Sequence, residues 1–300
     1  MQPFSRLTVG LARTPADACT AAYAALVCRL GTVEQVRFVH VLPREGTSGP
    51  LAGREHVEAE LRQTVAGQFT DVPVHVRVDY AVLSGPLTDQ LLTEVVTAQS
   101  DLLLVGHGAG RSGRRALARR LAMNAPCSVW MVPEDSPSRL TRILAPLDFS
   151  DDSADTSQVA VWLARASGAA ITALHVYFNE AVATYEEYDE ILRGQERQAY
   201  EKFVAPIDRQ GVELNPVFEE GANVANVIGR VAEREGADLI VMGTRGRSRS
   251  AAILLGSVTE QTIIDTRLPL LAVKHFGARM GVLQALLDRR FLFSKGLHTD

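Results

Sequence analysis

The stretch "DLIVMGTRGRSRSAAILLGS", residues 238–257, runs from a nearly all-apolar segment into two glycines three apart and, nine residues later, a Gly-Ser pair. A run as apolar as Asp238–Met242 reads as a strand buried on both faces, which parallel sheets require. Glycines at 243, 246 and 256 leave backbone without side chains where something must approach closely. Gly243 immediately follows the strand, so Gly243 to Gly246 is a loop at the carboxyl end of a sheet, where open α/β sheets bind ligands. Gly256-Ser257 opens a helix, "SVTEQTIIDT". The unpaired amides and dipole of its first turn make an anion site, to which the Ser257 and Thr259 hydroxyls add donors. Phosphate fits that description. From the glycines alone, a turn followed by a capped helix is an equal alternative.

The same pattern occurs twice. "DLLLVGHGAG" at 101–110 answers to "DLIVMGTRGR" at 238–247, and "RLTVGLARTPADA" at 6–18 to "RILAPLDFSDDSA" at 142–154. "VRFVHVL" at 36–42 matches "ITALHVY" at 171–177, and "APCSVWMVP" at 125–133 matches "LPLLAVK" at 268–274. Four matches in the same order mean a duplicated domain. In the second copy, Arg142–Pro146 and Ala170–Tyr177 read as strands and Ser153–Ala166 as a helix. A charged helix over 180–210, a strand over Val212–Phe218, and a helix over Val224–Glu235 ended by Gly236 lead into the strand at Asp238. Strands alternating with helices and joined by right-handed crossovers predict two doubly wound five-stranded parallel sheets, one in each half. "PEDSPSR" at 133–139 is a linker by composition. The expected domains are 1–135 and 139–276, with a helical tail at 277–300.

Composition narrows the function. The chain has 300 residues, enough for two cores, and a formal net charge of −4, so it carries no global basic field for nucleic acid. Its three cysteines, Cys19, Cys28 and Cys127, lack C-x-x-C spacing and suggest neither a disulfide framework nor a zinc site. No run approaches the roughly 20 apolar residues that span a bilayer. A cytoplasmic, membrane-independent protein is expected.

Two features turn the phosphate reading toward a nucleotide. Asp148 follows the first strand of the second half, beside the fourth, where its carboxylate can accept from a ribose or base; it can equally cap a helix with Ser150 and Ser153. Arg245, Arg247 and Arg249 ring the loop with positive charge, although such a run is more often a solvated face.

The chain resembles a tandem universal stress protein. Gly243, Gly246, Gly256 and Ser257 meet that family's pattern of Gly, two residues, Gly, nine residues, Gly and Ser or Thr in full; "APLDFSDDS" with Asp148 and "LHVY" with Val176 also match. The resemblance implies an ATP-binding regulatory or stress-response protein, with Mg²⁺ accompanying the nucleotide. It places Asp148 and Val176 at the adenosine end, flanked by Pro146 and Leu147, and Met242 and Gly243 near the ribose. Gly246, Gly256, Ser257, Val258 and Thr259 would hold the phosphates, with Thr244 and Arg245 in the same loop. It also implies an intrachain pseudo-dimer in which the last strands, Ser128–Val132 and Leu270–Val273, meet, with further homodimerisation open.

The first half departs from the pattern. Ala12 stands where Asp148 stands, Ala109 replaces the second glycine, the loop is six residues shorter, and Gly113-Arg114 takes the Gly-Ser place. One ATP per chain is therefore expected. Arg111, Arg114, Arg115, Arg119 and Arg120 form a basic helix face, which can meet an anionic ligand or the other half, or stay solvated. His40 and His175 fall at matching strand positions and read as core histidines. With no Walker lysine, nucleophile elbow or metal-binding histidine pair, and no carboxylate placed to activate water beside the phosphates, at most slow hydrolysis is expected. The competing readings are a slow ATPase or nucleotidyl-transferring enzyme of the same fold, and a nucleotide-independent interaction module. In the tail, Met280, Leu283, Leu287 and Phe291 at helical spacing would pack on their own domain or enter a partner's groove.

Overall fold

The computed structural model of the chain describes residues 3–43, 51–107, 112–178, 186–246 and 255–274. The first half runs β1 (Arg6–Leu11), α1 (Ala16–Arg29), β2 (Gln35–Leu42), α2 (Leu51–Ala66), β3 (Arg77–Ser84), α3 (Leu87–Thr97), β4 (Leu102–His107), α4 (Ser112–Asn124) and β5 (Ser128–Pro133). The second repeats it: β6 (Arg142–Pro146), α5 (Asp151–Ser167), β7 (Ala170–Tyr177), α6 (Glu186–Val204), β8 (Leu214–Glu220), α7 (Val224–Glu235), β9 (Leu239–Gly243), α8 (Ser257–Asp265) and β10 (Leu270–Val273). The tail at 277–300 lies outside the described residues.

Helix α7 starts and stops where its sequence dictates. Asn223 caps it by accepting from the Asn226 amide, and Gly236 ends it in the left-handed conformation at φ 63°. Strand β8 begins two residues later than its apolar pattern suggests. Gln210 and Gly211 both have positive φ, and Val212 N–H donates to the Arg209 carbonyl, so Val212 closes a turn. Helix α6 is shorter than the charged run that predicts it, its described part beginning at Glu186.

The two expected five-stranded sheets join through their last strands into one. The strand order is β3-β2-β1-β4-β5-β10-β9-β6-β7-β8, parallel throughout each half and antiparallel only where β5 meets β10. Leu270 pairs with Met131, Leu271 with Trp130 and Ala272 with Val129. This is the meeting of last strands that the resemblance implies. The cause is legible in β5, which is buried at every position and would otherwise be an apolar edge open to aggregation. Antiparallel pairing of equivalent strands also suits the pseudo-twofold relation of the copies.

The duplication extends to side-chain bonds. Asp101 accepts from the Ser5 amide and hydroxyl and the Arg6 amide, as Asp238 does from Thr141 and Arg142. His40 and His175 are buried, with Nδ1 at 2.9 Å from the Leu11 carbonyl and 2.7 Å from the Leu147 carbonyl. All three cysteines are unpaired, and among the described residues no helix is long and apolar enough to cross a membrane.

Candidate functional site

The carboxyl ends of β6, β7 and β9 and the start of α8 enclose a cavity of about 340 Å³. It opens where β9 and β6 lie side by side and the chain leaves them in opposite directions, the switch point at which doubly wound sheets take ligands. Pro146, Leu147 and Asp148 reach it from β6, Val176 from β7, and Met242 and Gly243 from β9. Arg245 and Gly246 come from the loop, and Gly256, Ser257, Val258 and Thr259 from α8. Thr244 is the exception among the residues singled out from the sequence. It is buried beneath the loop, its N–H donating to the Val273 carbonyl at 3.0 Å and its carbonyl accepting from Gly256 N–H at 2.8 Å. It is a strut and not part of the wall. Arg247 and Arg249 lie outside the described residues.

Ser153, Leu174, His175, Val224 and Ile228 also line the cavity. Val224 and Ile228 stand one turn apart on α7, a spacing visible in the sequence. Which face of α7 meets the cavity is set by packing across the sheet.

The three glycines differ in what excludes a side chain. A methyl group on Gly243 would come within 3.1 Å of Thr156 Oγ1 and of the Arg245 carbonyl. Its counterpart Gly106 is held the same way, with Thr20 Oγ1 where a methyl would sit. This glycine serves the packing of strand on helix in both halves. At Gly246 a methyl would lie 2.6 Å from Asp148 Oδ2. At Gly256 the backbone is ordinary, with φ −69° and ψ 145°, and among the described residues a methyl would meet nothing nearer than the Thr244 carbonyl at 3.6 Å. Atoms of the described residues explain two of the three glycines and leave Gly256 unexplained.

Asp148 is held from three directions. Its Oδ1 accepts from Ser150 N–H at 3.1 Å and from the hydroxyls of Ser150 and Ser153, each at 2.5 Å, while Oδ2 lies toward Gly246. Ser150, not Asp148, caps α5, accepting from the Ser153 amide. Between them Phe149 takes the left-handed conformation at φ 62°, and its ring stacks on His175 at 4.0 Å. Such a conformation costs a bulky residue energy and persists only where neighbours enforce it. Across the cavity, Thr259 Oγ1 donates to the Gly243 carbonyl at 2.8 Å. Its proton thus goes to the scaffold in this structure, while Thr259 still lines the cavity. Ser257 is exposed at the first turn of α8, and Arg245 is exposed at the mouth. Among the described residues no three His, Cys, Asp or Glu side chains gather as a metal site.

The first half builds its crevice otherwise. Asp17, at the place of Ser153 in the repeat, turns its carboxylate back to accept the amides of Ala12 at 2.9 Å and Arg13 at 2.7 Å. Burial pushes that carboxyl up while the amide bonds pull it down. The acid has moved from the loop to the helix and now faces inward. Helix α4 begins at Ser112, so Gly113 lies inside it and not at a Gly-Ser cap. The shorter loop brings the helix start forward. Arg119 meets the other half, pairing with Glu260 of α8 at 2.7 Å. The side chains of Arg111, Arg114 and Arg115 lie outside the described residues.

Fold and cavity together define a tandem doubly wound α/β protein with a crevice at the switch point of its second half. The model of the universal stress protein family matches residues 140–274. A universal stress protein of Methanocaldococcus jannaschii is 34% identical over 139 residues, covering 44% of this chain and 81% of that protein. One from Thermus aquaticus is 30% identical over 135 residues, covering 44% and 97%. A universal stress protein structure from Archaeoglobus fulgidus superposes with a TM-score of 0.63 at 14% identity, covering 90% of this chain and 96% of that one. A functionally unknown protein from Pseudomonas aeruginosa does so with 0.71 at 16%, covering 96% and 98%. The chain belongs to the universal stress protein family.

Proposed function

We propose that the chain binds one ATP, with its Mg²⁺, in the second-half cavity and serves as a nucleotide-dependent regulatory protein of the stress response, not as an enzyme. The observation that carries this reading is Gly256. A glycine that no atom of the described residues requires, at the cap of a helix and on the wall of a cavity, is accounted for by a ligand that must touch the backbone. The helix start supplies unpaired amides and positive dipole for phosphate. Val176, Val224, Ile228 and Met242 supply an apolar wall for a purine. Asp148, oriented by its two serines, supplies an acceptor for ribose hydroxyls. Bound ATP would bring a polyanion able to carry Mg²⁺ through its own oxygens, as this ion prefers.

Binding without rapid turnover follows from the same wall. Asp148 is the one carboxylate among the described lining residues, and its Oδ1 already takes three donors. His175 Nδ1 is bound to the Leu147 carbonyl. Neither is placed as a base beside the phosphate end. Native mass spectrometry of freshly purified protein, with steady-state turnover on Mg-ATP, tests this. A co-purified or titratable nucleotide and hydrolysis below roughly one per minute are expected, against about 10 per second for a typical enzyme. Turnover near that typical rate, lost on changing Ser257, would establish the ATPase reading instead.

A further inference from the structure

The phosphate-facing segment of the second half hangs from the end of β10. Thr244 N–H donates to the Val273 carbonyl and Gly256 N–H to the Thr244 carbonyl, so Gly256 is two hydrogen bonds from the strand that joins the halves. The next residue, Lys274, crosses that junction. Its N–H donates to Ser128 Oγ at 3.2 Å, and its ammonium donates to the Met123 carbonyl at 3.0 Å. Met123 lies in the last turn of α4, where carbonyls lack partners within the helix and the dipole favours a cation. The same helix reaches α8 through Arg119 and Glu260, one turn inside the cavity-lining start of α8. Burial holds the Lys274 ammonium down at about 8, with Cys127 opposing that fall and Arg245, at the cavity mouth, adding to it. Lys274 thus rests its head on the first half while its backbone continues from the strand that carries the Thr244 bond.

We propose that helix α4 of the first half positions the phosphate-binding segment of the second, Lys274 and the Arg119–Glu260 pair acting as its positioning residues. This rests on the nucleotide reading of the cavity and gives the degenerate half a role of its own, in which it sets affinity for the phosphates and leaves the adenosine end alone.

The test uses the full-length chain and titrates ATP and adenosine against the parent, Lys274→Met and Glu260→Gln. Lys274→Met should weaken ATP about tenfold and leave adenosine within about twofold. Glu260→Gln changes a partly exposed side chain, and it discriminates between mechanisms. Removing a negative charge near the phosphates should tighten ATP if charge alone matters. Loss of positioning should weaken it by about threefold, the scale of a surface ion pair. Unchanged ATP affinity in Lys274→Met, equal loss of ATP and adenosine, or tighter ATP in Glu260→Gln would each overturn the proposal. A parent that binds neither ligand removes the nucleotide reading and this inference with it; a parent that binds while both variants match it removes the inference alone.

Discussion

Replacing Gly256 with alanine separates what the fold needs from what a ligand needs. The backbone at φ −69°, ψ 145° suits any L-residue, and the new methyl meets the Thr244 carbonyl at 3.6 Å and Thr259 Oγ1 at 3.9 Å, ordinary contacts. A glycine-to-alanine change at a compatible position stabilises by about 0.4–1 kcal/mol through the unfolded chain. The melting temperature should therefore hold or rise by about 1–3 °C. Bound phosphate would lose its close approach to the first turn of α8. The loss of at least one hydrogen bond to a charged group is about 1.5–3 kcal/mol, or roughly 10- to 150-fold in Kd. Calorimetric titration with Mg-ATP, alongside thermal unfolding of the ligand-free protein, reads both quantities. A variant that melts like the parent and binds ATP as tightly refutes the assignment of α8 to phosphate. A variant that loses several degrees refutes the reasoning from packing. Gly246→Ala is the contrasting control: its methyl would lie 2.6 Å from the clamped Asp148 carboxylate, so stability and binding should fall together.

Titration of the full chain should give one nucleotide per chain, because Asp17 holds the amides of Ala12 and Arg13 and Gly113 lies inside α4; two equivalent sites would refute this. Cys28 and Cys127 are buried, and burial pushes both thiols up to about 12. An aromatic disulfide reagent near pH 8 should therefore titrate only Cys19 in the native protein and all three cysteines in denaturant, and rapid reaction of more than one native thiol would contradict the packing. Lys274 sits at about 8 in the folded chain against 10.5 for its ordinary value, so between those pH values the unfolded chain binds the extra proton and folding gains stability as pH rises. The urea midpoint of the parent minus that of Lys274→Met should climb from pH 8 to 10, and a flat difference would show that Lys274 titrates normally.

Much of this protein was legible in local patterns. The ordered matches between the halves reveal the duplication, and the apolar runs at Arg142–Pro146 and Ala170–Tyr177 coincide with β6 and β7. Asn223 and Gly236 bracket α7 by their own chemistry. The glycine spacing and Asp148, with the family resemblance they carry, single out residues that line the cavity apart from Thr244, and they miss Ser153, Leu174, His175, Val224 and Ile228. Each of these signals lies within a few residues of its consequence, where backbone preference and periodicity act.

What the tertiary structure alone decided concerns residues far apart in the chain. The union of two sheets into one, which only the family resemblance implied, takes its register from β5 finding β10, whose residues are more than a hundred positions away. Gly246 is a glycine because of Asp148, and Gly243 because of Thr156. The acid moved from the loop to Asp17 is visible in the sequence only as an absence at Ala12, since its direction depends on where α1 packs. Val224 and Ile228 join the wall, and Thr244 leaves it, by the way side chains point once the layers are stacked. Sequence specifies which segments can be strands, helices and close-approach turns, because those depend on neighbours in the chain; which atoms then meet is set by packing the buried faces together, and only the folded chain has those faces.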